Sequence, residues 1–243
     1  YPEYTELTDG DVSTMTNSSS RYDWALLSYL YRLNYSFADR YLLEVNGRFD
    51  GSSSFPSKDR WAFFPSASVG YRFSQEGYFD KLRNIINNGK LRASLGEIGN
   101  EAVGEDMFIS TISTVDNRYW LDSEGNLMTM YDVPSLVSSS LTWERIRTLD
   151  LGIDLGFLNN ELNVSFDWYQ RKTLDMLAPG VTLPDVLGTK EPYTNAGSLR
   201  TRGWELNLSW NHRFGDFNVY ASGNLSDYKT VVTDWNNQIG RAS

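Results

Sequence analysis

Leu149-Asp-Leu-Gly-Ile-Asp-Leu-Gly-Phe157 runs into Leu158-Asn-Asn-Glu161 and then into Leu162-Asn-Val-Ser-Phe-Asp-Trp-Tyr169. In the first stretch Leu149, Leu151, Ile153, Leu155 and Phe157 alternate with Asp150, Gly152, Asp154 and Gly156. In the second, Leu162, Val164, Phe166 and Trp168 alternate with Asn163, Ser165, Asp167 and Tyr169. A period of two marks extended chain whose side chains point alternately to opposite faces. Two such runs around a short polar break predict an antiparallel hairpin. One face of it is apolar throughout, and the other carries charge.

The same alternation recurs on both sides of this hairpin. Upstream lie Ala25–Phe37, Tyr41–Asp50, Phe63–Phe73 and Lys90–Ile98. Downstream, Trp204, Leu206, Leu208 and Trp210 alternate with Glu205, Asn207, Ser209 and Asn211, and the pattern returns from Phe217 to Ser226. About eight strands are predicted in all. Tight turns are expected at Ala38–Arg40, Leu158–Glu161 and around His212–Asp216. Long polar connections are expected at Gly51–Ala62, Gly99–Leu141 and Lys172–Thr201, and an intermediate one with a helical turn near Tyr78–Ile86. Short and long connections therefore alternate, as in an antiparallel up-and-down meander with every tight turn at one end.

Composition narrows the function. The chain has 243 residues, no cysteine and one histidine, so disulfides, thiolate metal sites and multi-histidine centres are excluded. Its net charge of −9 argues against a nucleic-acid partner, which needs a basic face. Aromatics reach 14% of residues, and many stand near strand ends: Tyr41, Phe49, Phe63, Phe73, Phe157, Trp168, Trp204 and Phe217. Interfacial girdles of a transmembrane β-barrel require that placement. Several strands reach about ten residues, the span of a tilted bilayer crossing, whereas soluble sandwich strands average about 5–6. The fold expected is all-β, an eight-stranded meander forming part of a large transmembrane barrel, its apolar face turned to lipid. Glu44, Arg48, Arg72, Lys90, Arg92, Asp150, Asp154, Asp167 and Glu205 fall on the opposite, lumen face. The competing readings are a secreted β-sandwich, such as a carbohydrate-binding module or glycosidase subdomain, and a complete eight-stranded barrel.

Specific strings sharpen this. Arg48-Phe-Asp-Gly-Ser-Ser-Ser-Phe55 and Phe64-Pro-Ser-Ala-Ser-Val-Gly-Tyr-Arg72 come first, then Leu91-Arg-Ala-Ser-Leu-Gly-Glu-Ile-Gly-Asn100. Asp167-Trp-Tyr-Gln-Arg-Lys-Thr-Leu-Asp-Met-Leu177 and Asn195-Ala-Gly-Ser-Leu-Arg-Thr-Arg-Gly-Trp-Glu205 follow, with Trp143-Glu144 as a weaker match before a strand. In this order they resemble signatures of the SusC/RagA family of TonB-dependent outer-membrane transporters. Leu95, Ser54 and Thr201 depart from the usual family residues. The resemblance implies a bacterial outer-membrane protein, a fragment of an importer of glycan or peptide oligomers, without enzymatic activity or cofactor. It implies a SusD-like surface lipoprotein as partner, and TonB acting through an N-terminal region and plug domain absent from this chain. On this reading, residues 1–22 and 229–243 are extracellular loop segments and 23–228 is barrel wall, with 99–141 and 172–201 the longest extracellular loops.

Candidate site residues divide into two groups. Tyr119, Trp120 and Tyr131 stand among acidic and amide groups in the longest loop, a composition suited to sugar or peptide recognition. Asp167, Arg171, Asn195, Gly197, Gly203 and Glu205 belong to the family-like strings and are expected to serve structure. No catalytic or metal constellation is expected. His212 reads as a solvated turn residue, and Asp122-Ser-Glu-Gly-Asn126 lacks the ligand spacing of a calcium loop.

Overall fold

Eight antiparallel strands lie side by side in one sheet of the computed structural model. It describes residues 23–101, 108–112, 114–121, 123–125, 127–138, 141–180, 183–189 and 191–235, with backbone alone across 114–121 and 127–130. The strands are β1 (Leu26–Phe37), β2 (Tyr41–Ser52), β3 (Trp61–Tyr71) and β4 (Ile86–Asn100), then β7 (Glu144–Phe157), β8 (Leu162–Pro179), β9 (Tyr193–Phe214) and β10 (Phe217–Trp235). Their order in the sheet is their order in the chain, so this is the expected up-and-down meander. A separate two-stranded sheet, β5 (Thr114–Leu121) and β6 (Leu127–Tyr131), sits within the connection from β4 to β7.

Register gathers the alternating patterns onto common faces. One cross-strand row runs Leu43, Val69, Ala93, Leu151, Trp168 and Trp204. The next runs Tyr71, Leu91, Ile153, Phe166, Leu206 and Leu225. On the reverse face lies Glu44, Ser68, Ser94, Asp150 and Tyr169. The apolar face is bare: Val69 is 52% exposed, Leu91 46% and Leu151 45%. In β3 the pattern is sharpest, with Phe63 42% exposed and its neighbour Phe64 3%. No second layer covers the apolar rows among the described residues. A water-soluble sandwich would bury them, since its inner faces interdigitate to form the core.

The height of the apolar face fits a bilayer. On β9 it runs from Trp204 to Phe214, and on β3 from Trp61 to Tyr71. Ten residues span about 34 Å along a strand, or about 25 Å along the normal at barrel tilts, which matches the apolar band of outer-membrane barrels. Stacked rings mark its borders: Tyr29 and Phe49 against Trp61 at one end, Tyr41 against Tyr71 at the other. No helix among the described residues is long and apolar enough to cross a membrane.

The tight turns use left-handed backbone. Ala38 and Asp39 have φ of 51° and 52°, Leu158, Asn159 and Asn160 of 54°, 56° and 66°, and Gly215 of 58°. Positive φ matches the twist of the flanking strands. The 72–85 connection winds through two short 3-10 turns, Phe73–Gln75 and Gly77–Phe79. Three expectations are corrected by the structure. β8 continues to Pro179 and β9 starts at Tyr193, so most of the stretch 172–201 is strand rather than loop. β10 reaches Trp235, beyond the boundary placed at residue 228. His212 lies inside β9, where its Nδ1 is 2.6 Å from Glu161 Oε2 and its ring stacks on Trp210. The first two share one cause: the ladder of backbone hydrogen bonds persists where the side chains cease to alternate in hydrophobicity.

Candidate functional site

Arg92 on β4 organises the polar face. Its Nε donates to Asp154 Oδ2 at 2.8 Å and its Nη2 to Asp154 Oδ1 at 3.0 Å, a bidentate pair across adjacent strands. The same Nη2 reaches Asp167 Oδ1 on β8 at 2.8 Å, and Ser165 Oγ donates to Asp154 Oδ1 at 2.8 Å. Gly152 on the intervening strand makes this reach possible, because a Cβ there would collide with both Arg92 and Asp167. Asp167 stands opposite Glu205 in register, and Asp150 lies on the same face one row away. A hollow on this face is lined by Lys90, Asp154, Ser165, Asn207, Tyr220 and Asn224. Such a surface is suited to holding water and polar groups. Two strands' carboxylates are locked to one guanidinium, so the network fixes strand register.

A second assembly closes the long-connection end of the sheet. Phe55, Ala62, Phe64 and Trp143 form a buried cluster, each no more than 6% exposed. The Trp143 ring lies 5.0 Å from Phe55 and 5.5 Å from Phe64, and its Nε1 donates to Arg60 O at 2.9 Å. Asp50 is fully buried beside it, accepting from Arg48 Nε at 2.6 Å. Arg145 lies over the Phe64 ring at 5.9 Å. Asn100 Nδ2 donates to Glu144 Oε1 at 3.1 Å. Four of the family-like strings therefore meet here, through Asp50 and Phe55, Phe64, Gly99 and Asn100, and Trp143 and Glu144.

The fifth and sixth strings meet beside them. Asn195 Nδ2 donates to Thr142 O at 2.9 Å and to Asp175 O at 2.7 Å, while its Oδ1 accepts from Thr142 N at 3.0 Å. Asp175 takes a φ of 55° where the β8–β9 ladder shifts register, and Gly197 pairs with Met176 across that bulge. Gly203 is packed under the Tyr169 ring. Among the expected site residues, Asp167 and Glu205 are brought together, and Asn195 and Gly197 flank the bulge. Arg171 stands two rows from Asp167, exposed and opposite Thr201. Tyr131 is 71% exposed at the end of β6. The side chains of Tyr119 and Trp120 lie outside the described residues, as do Asp122 and Asn126. Reading the strings one by one did not bring out the Phe55–Phe64–Trp143 cluster; the aromatic that each of three strings carries was the available signal.

Comparison with known proteins agrees with this geometry. The family model described as TonB dependent receptor-like, beta-barrel, matches residues 1–243. The TonB-dependent receptor SusC of Bacteroides thetaiotaomicron is 33% identical over 230 residues, covering 86% of this chain and 22% of that protein. The TonB-dependent receptor P3 of Formosa agariphila is 33% identical over 225 residues, covering 92% and 22%. The RagAB peptide importer in its 'closed-closed' state superposes with a TM-score of 0.82 at 26% identity, over 97% of this chain and 25% of that one. The siderophore receptor PirA from Pseudomonas aeruginosa, at 13% identity and a TM-score of 0.55, shares the fold alone. The chain spans about a quarter of the length of these relatives. With its bare apolar band, charged inner face and full-length family match, the chain belongs to the TonB-dependent receptor β-barrel family, SusC/RagA-like, of the bacterial outer membrane.

Proposed function

We propose that this chain supplies wall, lumen lining and extracellular surface to a TonB-dependent importer of oligomeric nutrients, peptide or glycan, and carries out no reaction on its cargo. The observation that carries this reading is the division of one sheet into a lipid-facing apolar side and an inner side tied by Arg92, Asp154 and Asp167. Work would come from TonB pulling on a plug held within the barrel, with a SusD-like lipoprotein capping the outer opening. The long connections 53–60, 101–143 and 180–192 then face outward, and Tyr119, Trp120 and Tyr131 offer rings to cargo or cap. Asp167, Arg171, Asn195, Gly197, Gly203 and Glu205 serve structure in this scheme, as the contacts of Asn195 and Gly203 illustrate.

The test is uptake by cells carrying the full-length transporter. Fluorescent oligopeptides and oligosaccharides are supplied with TonB present or deleted. Accumulation of one class, lost without TonB, is expected. Equal uptake of neither class above a transporter-deleted control, under conditions where the protein is assembled, would overturn the import reading.

A further inference from the structure

The membrane-facing side changes character abruptly beyond Trp168 and Trp204. On β8 to β10 the next row toward the long connections reads Gln170, Arg202 and Lys229, continuing Leu95 and Leu149 of β4 and β7. The one after it reads Glu97, Arg147, Lys172, Arg200 and Val231. Arg145 follows on β7. Five cations, Arg147, Lys172, Arg200, Arg202 and Lys229, thus share one outward patch on β7 to β10, in a chain whose net charge is −9, while Arg145 beside them lies over the Phe64 ring. Compensation is sparse. Glu97 takes both Arg147, whose Nε donates at 2.6 Å, and Arg145 at 3.6 Å. Arg202 Nε donates to the neutral Gln170 Oε1 at 2.7 Å, which leaves its charge unbalanced. Lys172, Arg200 and Lys229 make no ion pair with any described residue, and the other carboxylates on this stretch of the face are Asp227, beside Trp204, and Asp234, opposite Ser198.

The position of the patch selects its occupant. One row is two residues, about 7 Å along a strand and about 5 Å along the membrane normal at a 45° tilt. Two rows beyond the tryptophans therefore lie within or just above the headgroup layer, which is about 5–7 Å thick on each side of the hydrocarbon. Guanidinium forks match phosphate oxygens bidentately, and neighbouring strands set the backbones that carry these cations about 4.8 Å apart, within the reach of side chains that bridge one phosphate. We propose that Lys172, Arg200, Arg202 and Lys229, flanked by Arg145 and Arg147, form a binding site for a phosphorylated lipid of the outer leaflet. The site rests on the assignment of the long connections to the cell exterior. It is independent of what the transporter imports.

The experiment is native mass spectrometry of the full-length transporter in detergent, titrated with bis-phosphorylated lipid A or its dephosphorylated form. Retained phosphorylated lipid, at least tenfold tighter than the dephosphorylated lipid, is expected. A K172S/R200S/R202S/K229S variant should lose that preference, and a K172R/R200K/R202K/K229R variant should keep it. If the neutral variant does not assemble, salt decides. Raising NaCl from 50 to 500 mM should weaken phosphorylated lipid by tenfold or more and leave the dephosphorylated lipid unchanged. Equal binding of both lipids, or an unaltered preference in an assembled neutral variant, overturns the site. Loss of a capping lipoprotein with lipid binding intact would also overturn it, assigning the patch to protein contact.

Discussion

A methyl group added at Gly99 would collide with the ring of Phe64, which is itself held against Trp143. Gly99→Ala must push that ring into a filled cluster, and overpacking of this kind costs about 1–3 kcal/mol. The expected result is a lower temperature for loss of the heat-modifiable, folded band of the full-length transporter. Phe64→Leu in the same molecule should recover part of the loss, because the shorter side chain vacates the collision. Failure of any rescue would mean that Gly99 is needed for its backbone rather than for space. Asn195→Ala removes three hydrogen bonds that tie Thr142 to the β8 bulge, at about 1 kcal/mol each. At this scale the sequence showed which residues mattered and not whom they touched. Phe55, Phe64 and Trp143 are up to 88 positions apart, and no periodicity links them.

Each strand carries its facing in its own alternation, and register then makes the faces continuous. Leu208 and Asn207 illustrate the consequence. They are neighbours on β9, yet Leu208 is 43% exposed in the apolar row beside Val164, while Asn207 stands beside Ser165 on the inner face. Leu208→Arg places a charge in hydrocarbon at about 2–4 kcal/mol near mid-bilayer, whereas Asn207→Arg points into water. A membrane-assembly assay should show a clear defect for the first and near-normal yield for the second. Equal yields would contradict the facing. Strand ends were less legible for a physical reason. Beyond the hydrocarbon nothing selects apolar residues on the outer face, so Lys172, Arg200 and Arg202 broke the pattern that signals a strand. Hydrogen bonding continues there regardless, and β8 and β9 run on to the bulge at Asp175.

On the scale of the whole molecule, β1 and β10 are the edges of an open sheet. Both present unpaired backbone and apolar rings, including Tyr35 at 58% and Leu225 at 61% exposed. Lipid cannot satisfy free amides, so a wall of this kind is stable in a membrane only when further strands complete the barrel. The β5–β6 hairpin stands in a different relation to that wall. It forms its own small sheet, turning at Gly125 with φ of 85°, and contributes no strand to the eight. Deleting Asp116–Asn126 from the full-length transporter should therefore leave assembly and heat-modifiability unchanged. The same deletion removes Tyr119 and Trp120, so capture of the capping lipoprotein or of fluorescent cargo should weaken at least severalfold. Intact binding would show that these rings only pack the loop, and loss of assembly would show that the hairpin braces the wall. Tyr131→Ala separates the two roles further: it removes an exposed ring at the base of β6 without shortening the connection, and reduced capture with normal assembly is the outcome a recognition surface requires.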